Sequence, residues 1–353
     1  TQLQNMEAAV SAYRKVLEAD PGDFEVLSAL DALYRGSQRW HELVAVLRAR
    51  AEAHSDPDDN IGILAEMART HSELLDEPDQ AIALQNEILE LDPTNRGALT
   101  ALDDLLARQG LWSDLVDNVE RQLSMNDDPQ EQTVLLLRLA EIREERMGST
   151  DAAVEIYRDV LANDASNPAA LGALERLLES SEHQAAVADI LEPIYKDGGA
   201  SARLVDVDEI EAHHATAPER RLSLFNEIAK LQEFSLSDLR GAFESYARAF
   251  REDPGHPKSK EELERLSAAV GASDALAGVY ELVVASLDDP QLATGLLLRA
   301  AEIREEDLGQ IDRAVEHYQK VLEIDDGRYP AAADHLKRVL DDTPGEPNAT
   351  LLM

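Results

Sequence analysis

The chain has 353 residues, 44% of them apolar and 4% aromatic, with no cysteine and with 71 acidic side chains against 33 basic ones. The absent cysteine excludes disulfides, thiolate zinc sites, cysteine nucleophiles and cysteine-held iron–sulfur clusters. A formal charge of −38 opposes binding to phosphate backbones, whose affinity comes largely from Lys and Arg releasing counterions, and to anionic lipid surfaces, and no run approaches the roughly 18 apolar residues a membrane span needs.

The chain opens at Thr1 inside a helical pattern, Met6, Ala9, Val10, Tyr13, Val16 and Leu17, with no basic, apolar, cleavable leader. That start reads as a processed chain or a fragment, so compartment stays open: the cytoplasm is favoured, with a bacterial cell envelope or periplasm as the alternative. From there on, segments of 12 to 18 residues rich in Ala, Leu, Glu and Arg carry apolar residues three and four apart, without sustained alternation. Asp-Pro, Asn-Pro, Gly or Asp/Ser clusters interrupt them every 15 to 20 residues, which predicts about 19 helices. Asp20-Pro21 closes the first, Leu30-Asp31 falls in the second, and Trp40 opens the third. Asp56-Pro57 opens the next with a capping carboxylate before Pro at the first helical position, as Asp128-Pro129 and Asp289-Pro290 do later. Glu131 completes a capping box with Asp128. Pro193 ends or kinks its helix, and 342–353 reads as a disordered tail.

The punctuation repeats. Asp20-Pro21 returns as Asp92-Pro93, Asp164-Ala165, Asp253-Pro254 and Asp325-Asp326, at steps of about 72, 72, 89 and 72 residues. Trp40 and Trp112 are also 72 apart, each with a Leu three residues on (Leu43, Leu115), and LLLRLAEIREE at 135–145 returns as LLLRAAEIREE at 296–306. The long step places an insertion near 197–214, one extra short helix or an elongated pair, between N-terminal repeats over 1–196 and C-terminal repeats over 215–341. Each 72-residue unit divides into two helix pairs with a period of about 36. A two-helix unit has an apolar stripe too large to expose and too small to close on itself, so neighbouring pairs bury it.

One helix of each unit carries a fixed set: Ala9, Tyr13, Leu17, Asp20; then Ala81, Gln85, Leu89, Asp92; Ala153, Tyr157, Leu161, Asp164; Ala242, Tyr246, Phe250, Asp253; and Ala314, Tyr318, Leu322, Asp325. The helices before them carry Leu139-Ala140 and Ala300-Ala301. These residues resemble the tetratricopeptide repeat family. The resemblance implies an all-α chain, an α-α superhelix or solenoid of about nine stacked tetratricopeptide-like helix pairs. The alternate pairs depart from the family pattern: after Leu30, Leu102, Leu174 and Leu263, where a small residue is expected, stand Asp31, Asp103, Glu175 and Glu264. A carboxylate cannot enter a tight helix contact without a partner, so those pairs either pack with a different rotation or send the side chain to the rim.

No phosphate-binding Gly loop, HExxH pair, GxSxG elbow or kinase signature occurs. Asp56-Pro57-Asp58-Asp59-Asn60 comes nearest to a calcium loop but has Ile61 where the sixth-position Gly is needed. His213 and His214 adjoin Glu211, yet successive helical side chains diverge by about 100°, so a metal site is not expected there. His71 shares its register with Arg143, Gln232 and Arg304, a variable surface or packing position, while Tyr13, Tyr157, Tyr246, Tyr318, Trp40 and Trp112 read as packing. No catalytic residue, cofactor or metal ligand is expected.

In the family the groove is lined by first-helix residues following the Leu-small pair. Carried over, these are Glu141, Glu144 and Glu145, then Glu302, Glu305 and Glu306, with Arg69 and Glu73, and Lys230 and Glu233, in the matching places. The Lys and Asn clamps with which family members grip a terminal carboxylate are missing, and the acid in their place suits a basic, Arg/Lys-bearing protein or peptide partner. The expectation is a non-enzymatic protein-interaction scaffold or adaptor of a bacterial multiprotein assembly, without nucleic acid or membrane insertion. The alternatives are the regulatory repeat domain of a longer enzyme and a self-associating structural array.

Overall fold

A computed structural model describes residues 2–53, 56–324 and 330–342. The closing Asp325-Asp326 and the tail from 343 onward lie outside the described residues. Among those described there are nineteen α-helices and no strand. The chain forms two compact units, Thr1–Ala173 and Leu174–Met353. The first holds α1 (Gln2–Ala19), α2 (Phe24–Gly36), α3 (Trp40–Ala53), α4 (Pro57–Thr70), α5 (Pro78–Leu91), α6 (Arg96–Gln109), α7 (Trp112–Ser124), α8 (Pro129–Glu141) and α9 (Thr150–Asn163). Helix α10 (Pro168–Leu177) spans the division. The second holds α11 (Gln184–Asp197), α12 (Ser201–His214), α13 (Pro218–Lys230), α14 (Leu239–Glu252), α15 (Pro257–Val270), α16 (Ser273–Val284), α17 (Pro290–Glu302), α18 (Ile311–Ile324) and α19 (Pro330–Asp342).

Within each unit a helix packs chiefly on its neighbours in sequence, the mark of a solenoid. The tetratricopeptide-like hairpins are α4/α5, α8/α9, α13/α14 and α17/α18. Their second helices approach the first through Ala81, Ala153, Ala242 and Ala314, none with any exposed surface. Around these contacts Leu64, Leu139, Leu224 and Leu296 are buried, each contributing about 2 kcal/mol through the apolar area removed from water.

The four first helices share an ending that the sequence pattern did not reveal. Each passes into a five-residue π turn: His71–Leu75, Ile142–Arg146, Leu231–Ser235 and Ile303–Asp307. The carbonyls of His71, Arg143, Gln232 and Arg304 accept from the backbone N–H six residues on, at 2.9, 2.7, 2.7 and 2.7 Å. The turn requires a left-handed residue, which is Asp76, Gly148, Ser237 and Gly309, with φ of 55°, 65°, 57° and 63°. Helices α2, α4, α6, α8 and α10 therefore start at steps of 33, 39, 33 and 39 residues. The 36-residue period is an average of two, and the π turn supplies most of the difference.

The hairpins between them use a shorter turn, with a left-handed residue two positions before the second helix: Gln38, Gly110 and Gly271 before α3, α7 and α16. Gly199 stands in the same relation to α12. Ser201–His214, in the segment read as an insertion, is thus a full second helix hairpinned on α11, and the extra seventeen residues are equally one helix upstream, at α10. Pro193 lies inside α11, which continues to Asp197, so it does not end the helix. Asp56, Asp128 and Asp289 cap α4, α8 and α17 by accepting from Asp58, Gln130 and Gln291 N–H at 3.0, 2.8 and 2.9 Å. The capping box fails: the Asp128 N–H donates to Asn126 Oδ1 at 3.0 Å, and Glu131 accepts from Asn126 instead.

The carboxylates in the alternate first helices neither rotate away nor float at the rim. Asp103 is buried on α6 and accepts from Asn118 Nδ2 (2.7 Å) and Gln122 Nε2 (3.0 Å) on α7 and from Arg138 Nη1 (2.6 Å) on α8. Asp31 on α2 accepts from Arg35 and from Arg50 on α3 (2.6 Å), while Arg35 also reaches Glu66 on α4. Glu175 on α10 accepts from Tyr195 (2.7 Å) on α11 and from Arg203 on α12. Glu264 on α15 accepts from Tyr280 (2.7 Å) on α16 and faces Arg299 on α17 at 3.9 Å. Each acid, directly or through its Arg, ties three successive helices.

Two stability changes follow. Asp103→Ala leaves three donors without their acceptor and should cost about 2–4 kcal/mol in urea unfolding, while the neighbouring exposed Asp104→Ala changes it by less than about 0.5 kcal/mol. Ser237→Gly relieves a left-handed non-glycine residue and should stabilise by about 1 kcal/mol.

Candidate functional site

The groove residues sit where the four first helices run into their π turns. In the first unit Arg69 and Glu73 end α4, and Glu141, Glu144 and Glu145 end α8; in the second Lys230 and Glu233 end α13, and Glu302, Glu305 and Glu306 end α17. They do not behave alike. Arg69, Glu73, Glu141, Glu145, Lys230 and Glu306 are exposed. Glu144, Glu233 and Glu305, which share one register, turn inward. Glu144 accepts from the buried Tyr157 hydroxyl at 3.0 Å, Glu305 from Tyr318 at 2.7 Å and Arg338 at 2.6 Å, and Glu233 from Arg265 at 2.6 Å. Glu302 pairs with Arg299 at 2.9 Å.

The inward row is electrostatically committed. Burial alone would raise Glu305, but the bonds from Tyr318 and Arg338 outweigh it and hold the carboxyl below its usual range. Burial and the Glu305 charge push the Tyr318 hydroxyl well up, and burial beside Glu262 and Glu233 lifts Tyr246 to about 12. Glu144 and Glu305 join first helix to second through Tyr157 and Tyr318, and Glu233 and Glu305 reach the next helix through Arg265 and Arg338. In the outward row Glu306 faces Arg338 at 3.8 Å, whereas Glu73, Glu141 and Glu145 face solvent with no ion pair among the described residues.

His71 and its equivalents prove to be a packing position filled by whatever polar group finds a partner: His71 Nδ1 with Glu77 (2.7 Å), Arg143 with Glu120 (2.6 Å), Gln232 accepting from Ser245 (2.8 Å) and the buried Arg304 with Glu281 (2.8 Å). His213 and His214 are exposed, their rings edge to face at 5.4 Å, and His214 accepts from Gln184. Among the described residues no group of three or more His, Asp or Glu could hold a metal ion, and no helix is long and apolar enough to cross a membrane.

The tetratricopeptide repeat family matches 135–166 and 296–326 with one family model and 1–23 with another; the first two spans are the hairpins α8/α9 and α17/α18 with their π turns. The chain is a helical repeat protein of the tetratricopeptide type. Among solved structures it is similar to a tetratricopeptide repeat protein from Parabacteroides merdae, at 17% identity over 74% of this chain and 90% of that one, with a TM-score of 0.30. The P58(IPK) TPR domain aligns at 14% identity over 96% of this chain and 98% of that one, TM-score 0.28. Naa15/Naa10 bound to HypK-THB aligns at 12% identity over 96% and 59%, TM-score 0.33. No curated protein matches the chain.

Helix α12 of this tetratricopeptide-type array carries one acid that departs from the rest. Asp208 is 2% exposed, and its Oδ1, like Oε1 of nearby Glu211, has no hydrogen-bond partner among the described residues. Burial, reinforced by Glu192, Glu211 and Glu227 and opposed by Lys196, pushes its carboxyl up to about 7. An acid held protonated in the fold but ionised above about pH 4 when unfolded removes stability as pH rises between those values, by on the order of 3 kcal/mol. The unfolding free energy should therefore fall from pH 4.5 to pH 8, and Asp208→Asn should flatten that fall relative to the unmodified chain. Parallel pH profiles for the two would contradict the assignment.

Proposed function

We propose that the chain is a non-enzymatic protein-interaction scaffold, an adaptor that holds a basic partner segment against the outward row of its first helices. The observation that carries this is the split between the two glutamate rows. Glu144, Glu233 and Glu305 are spent on internal bonds, while Glu141, Glu145 and Glu73 remain exposed and, among the described residues, without ion pairs in a chain of charge −38. Unpaired carboxylates on a rigid helix face raise the local concentration of Arg/Lys-bearing segments and orient their approach. Attraction spread along several turns supplies affinity without a deep pocket. The same excess of acid disfavours nucleic acid as partner.

The test is titration of an Arg/Lys-rich peptide against the full chain at rising salt. The dissociation constant should rise at least about tenfold between 50 and 300 mM NaCl as exposed charges are screened. Glu141→Gln/Glu145→Gln should weaken binding and flatten the salt dependence, while Glu90→Gln/Asp117→Asn, which removes two exposed acids from second helices, should leave both nearly as they were. Binding insensitive to salt, or equal loss in the two variants, would overturn the assignment of this face.

A further inference from the structure

The inward glutamate row has one gap, and the residue opposite it changes with it. At the register of Glu144, Glu233 and Glu305 the α4/α5 hairpin has Ser72, and at the register of Tyr157, Tyr246 and Tyr318 it has Gln85. The ring and the acid that elsewhere bond to each other, Tyr157 with Glu144 and Tyr318 with Glu305, are both absent here. Two long side chains replaced by two shorter ones leave unfilled space, and the structure shows it: a hollow of about 370 Å³ between α4 and α6 that reaches down to α5.

The hollow's chemistry is specific. Its inner wall is apolar, with Ile88, Ala98 and Leu105 each at most 4% exposed. Gln85 lines it, is 7% exposed, and makes no hydrogen bond within the described residues. A carboxamide this deep keeps only slight contact with water, and a ligand offering a donor and an acceptor together pairs both of its ends. At the mouth Arg69, Arg108, Glu73 and Asp104 make no ion pair among the described residues, Arg108 Nε donating only to the Asp104 carbonyl at 3.2 Å. Two cations and two anions leave the rim without net charge, which favours a neutral occupant over a carboxylate or an ammonium. Unpaired guanidinium groups also complement the negative face of an aromatic ring, an arrangement the chain already uses where Arg146 lies over Trp112 and Arg248 over Phe225, at 5.4 and 4.1 Å.

We propose that this hollow receives a tyrosine side chain of a partner polypeptide, which supplies from outside the ring that α9 and α18 supply from within. The phenol lies against Ile88, Ala98 and Leu105, its hydroxyl exchanges a hydrogen bond with the Gln85 carboxamide, and Arg69 or Arg108 covers the ring at the mouth. This rests on the protein-scaffold reading and adds to it a point of sequence selectivity that the acidic face does not provide.

The test uses N-acetyl-tyrosinamide as probe on the full chain, followed by ligand-observed saturation-transfer NMR, with N-acetyl-phenylalaninamide and N-acetyl-glutaminamide as comparators. The tyrosine probe should bind about threefold or more tightly than the phenylalanine one, the difference one hydrogen bond makes, and more tightly than the glutamine one. Ser72→Glu/Gln85→Tyr rebuilds the internal pair, should keep the helical circular-dichroism spectrum, and should abolish the transfer. Gln85→Leu keeps the space without the amide and should equalise the tyrosine and phenylalanine probes. No transfer at millimolar probe, undiminished transfer in the rebuilt variant, or tighter binding of the glutamine probe would each overturn the proposal. The salt-dependent binding of the Arg/Lys-rich peptide should be unchanged in the rebuilt variant, so loss of the hollow and loss of the scaffold reading are told apart.

Discussion

A helix hairpin with one apolar stripe cannot close a core by itself, and everything else in this chain is arranged around what covers that stripe. In half of the hairpins the cover is steric: alanines without exposed surface let the second helix approach, and Tyr157, Tyr246 or Tyr318 fills the seam. In the alternate hairpins it is electrostatic. Asp103 holds α6, α7 and α8 together through three charge-assisted bonds that no single hairpin could supply. Because a buried carboxylate is tolerable only when every lone pair is satisfied, it also demands a particular registration of its neighbours. Dispersion contacts between Leu and Ala tolerate a sliding fit; an Asp bonded to Asn118, Gln122 and Arg138 does not.

The helical class, the number of helices and the repetition could all be read in the sequence, because period and punctuation are local properties. What could not be read were features that depend on hydrogen-bond geometry rather than residue type. A π turn has no composition of its own: IREER and IREED nearly match, but HSELL and LQEFS share little with them or with each other beyond polarity. Yet its trace was present one or two residues further on, where Asp76, Gly148, Ser237 and Gly309 stand in one register, three of the four being residue types that tolerate the left-handed region. The same trace, Gly199, shows that α12 answers α11 as α7 answers α6. The capping box failed because Asn126, two residues upstream, competes for the same N–H, a contest that spacing alone does not decide.

The candidate face was half legible. Position along the first helix identified the glutamates near the π turns, but two adjacent registers look identical in a Glu-Glu pair such as Glu144-Glu145 or Glu305-Glu306. Only the partner separates them. Tyr157 and Tyr318, thirteen residues downstream of Glu144 and Glu305, claim the inner member and leave the outer one to solvent. The signal that could have found this was covariation inside the chain itself, since the hairpin with Gln85 in place of Tyr is also the one with Ser72 in place of Glu.

Internal repetition therefore works as a built-in set of controls. Where several copies of a motif share one fold, a position that changes alone reports drift, as His71, Arg143, Gln232 and Arg304 do, each satisfied by a different neighbour. Two facing positions that change together report a difference in what the surface presents. Losing only the tyrosine would strand a glutamate beside an apolar seam; losing only the glutamate would strand a buried hydroxyl. Either single loss leaves a polar group without its partner at a cost of about 1–3 kcal/mol, whereas the double change spares both and exchanges the cost for open volume and one unpartnered amide. Drift has no reason to keep that amide buried and aimed into the opening, since an aliphatic residue there would be better packed and better satisfied. The array gains from it only when something polar and flat enters from outside.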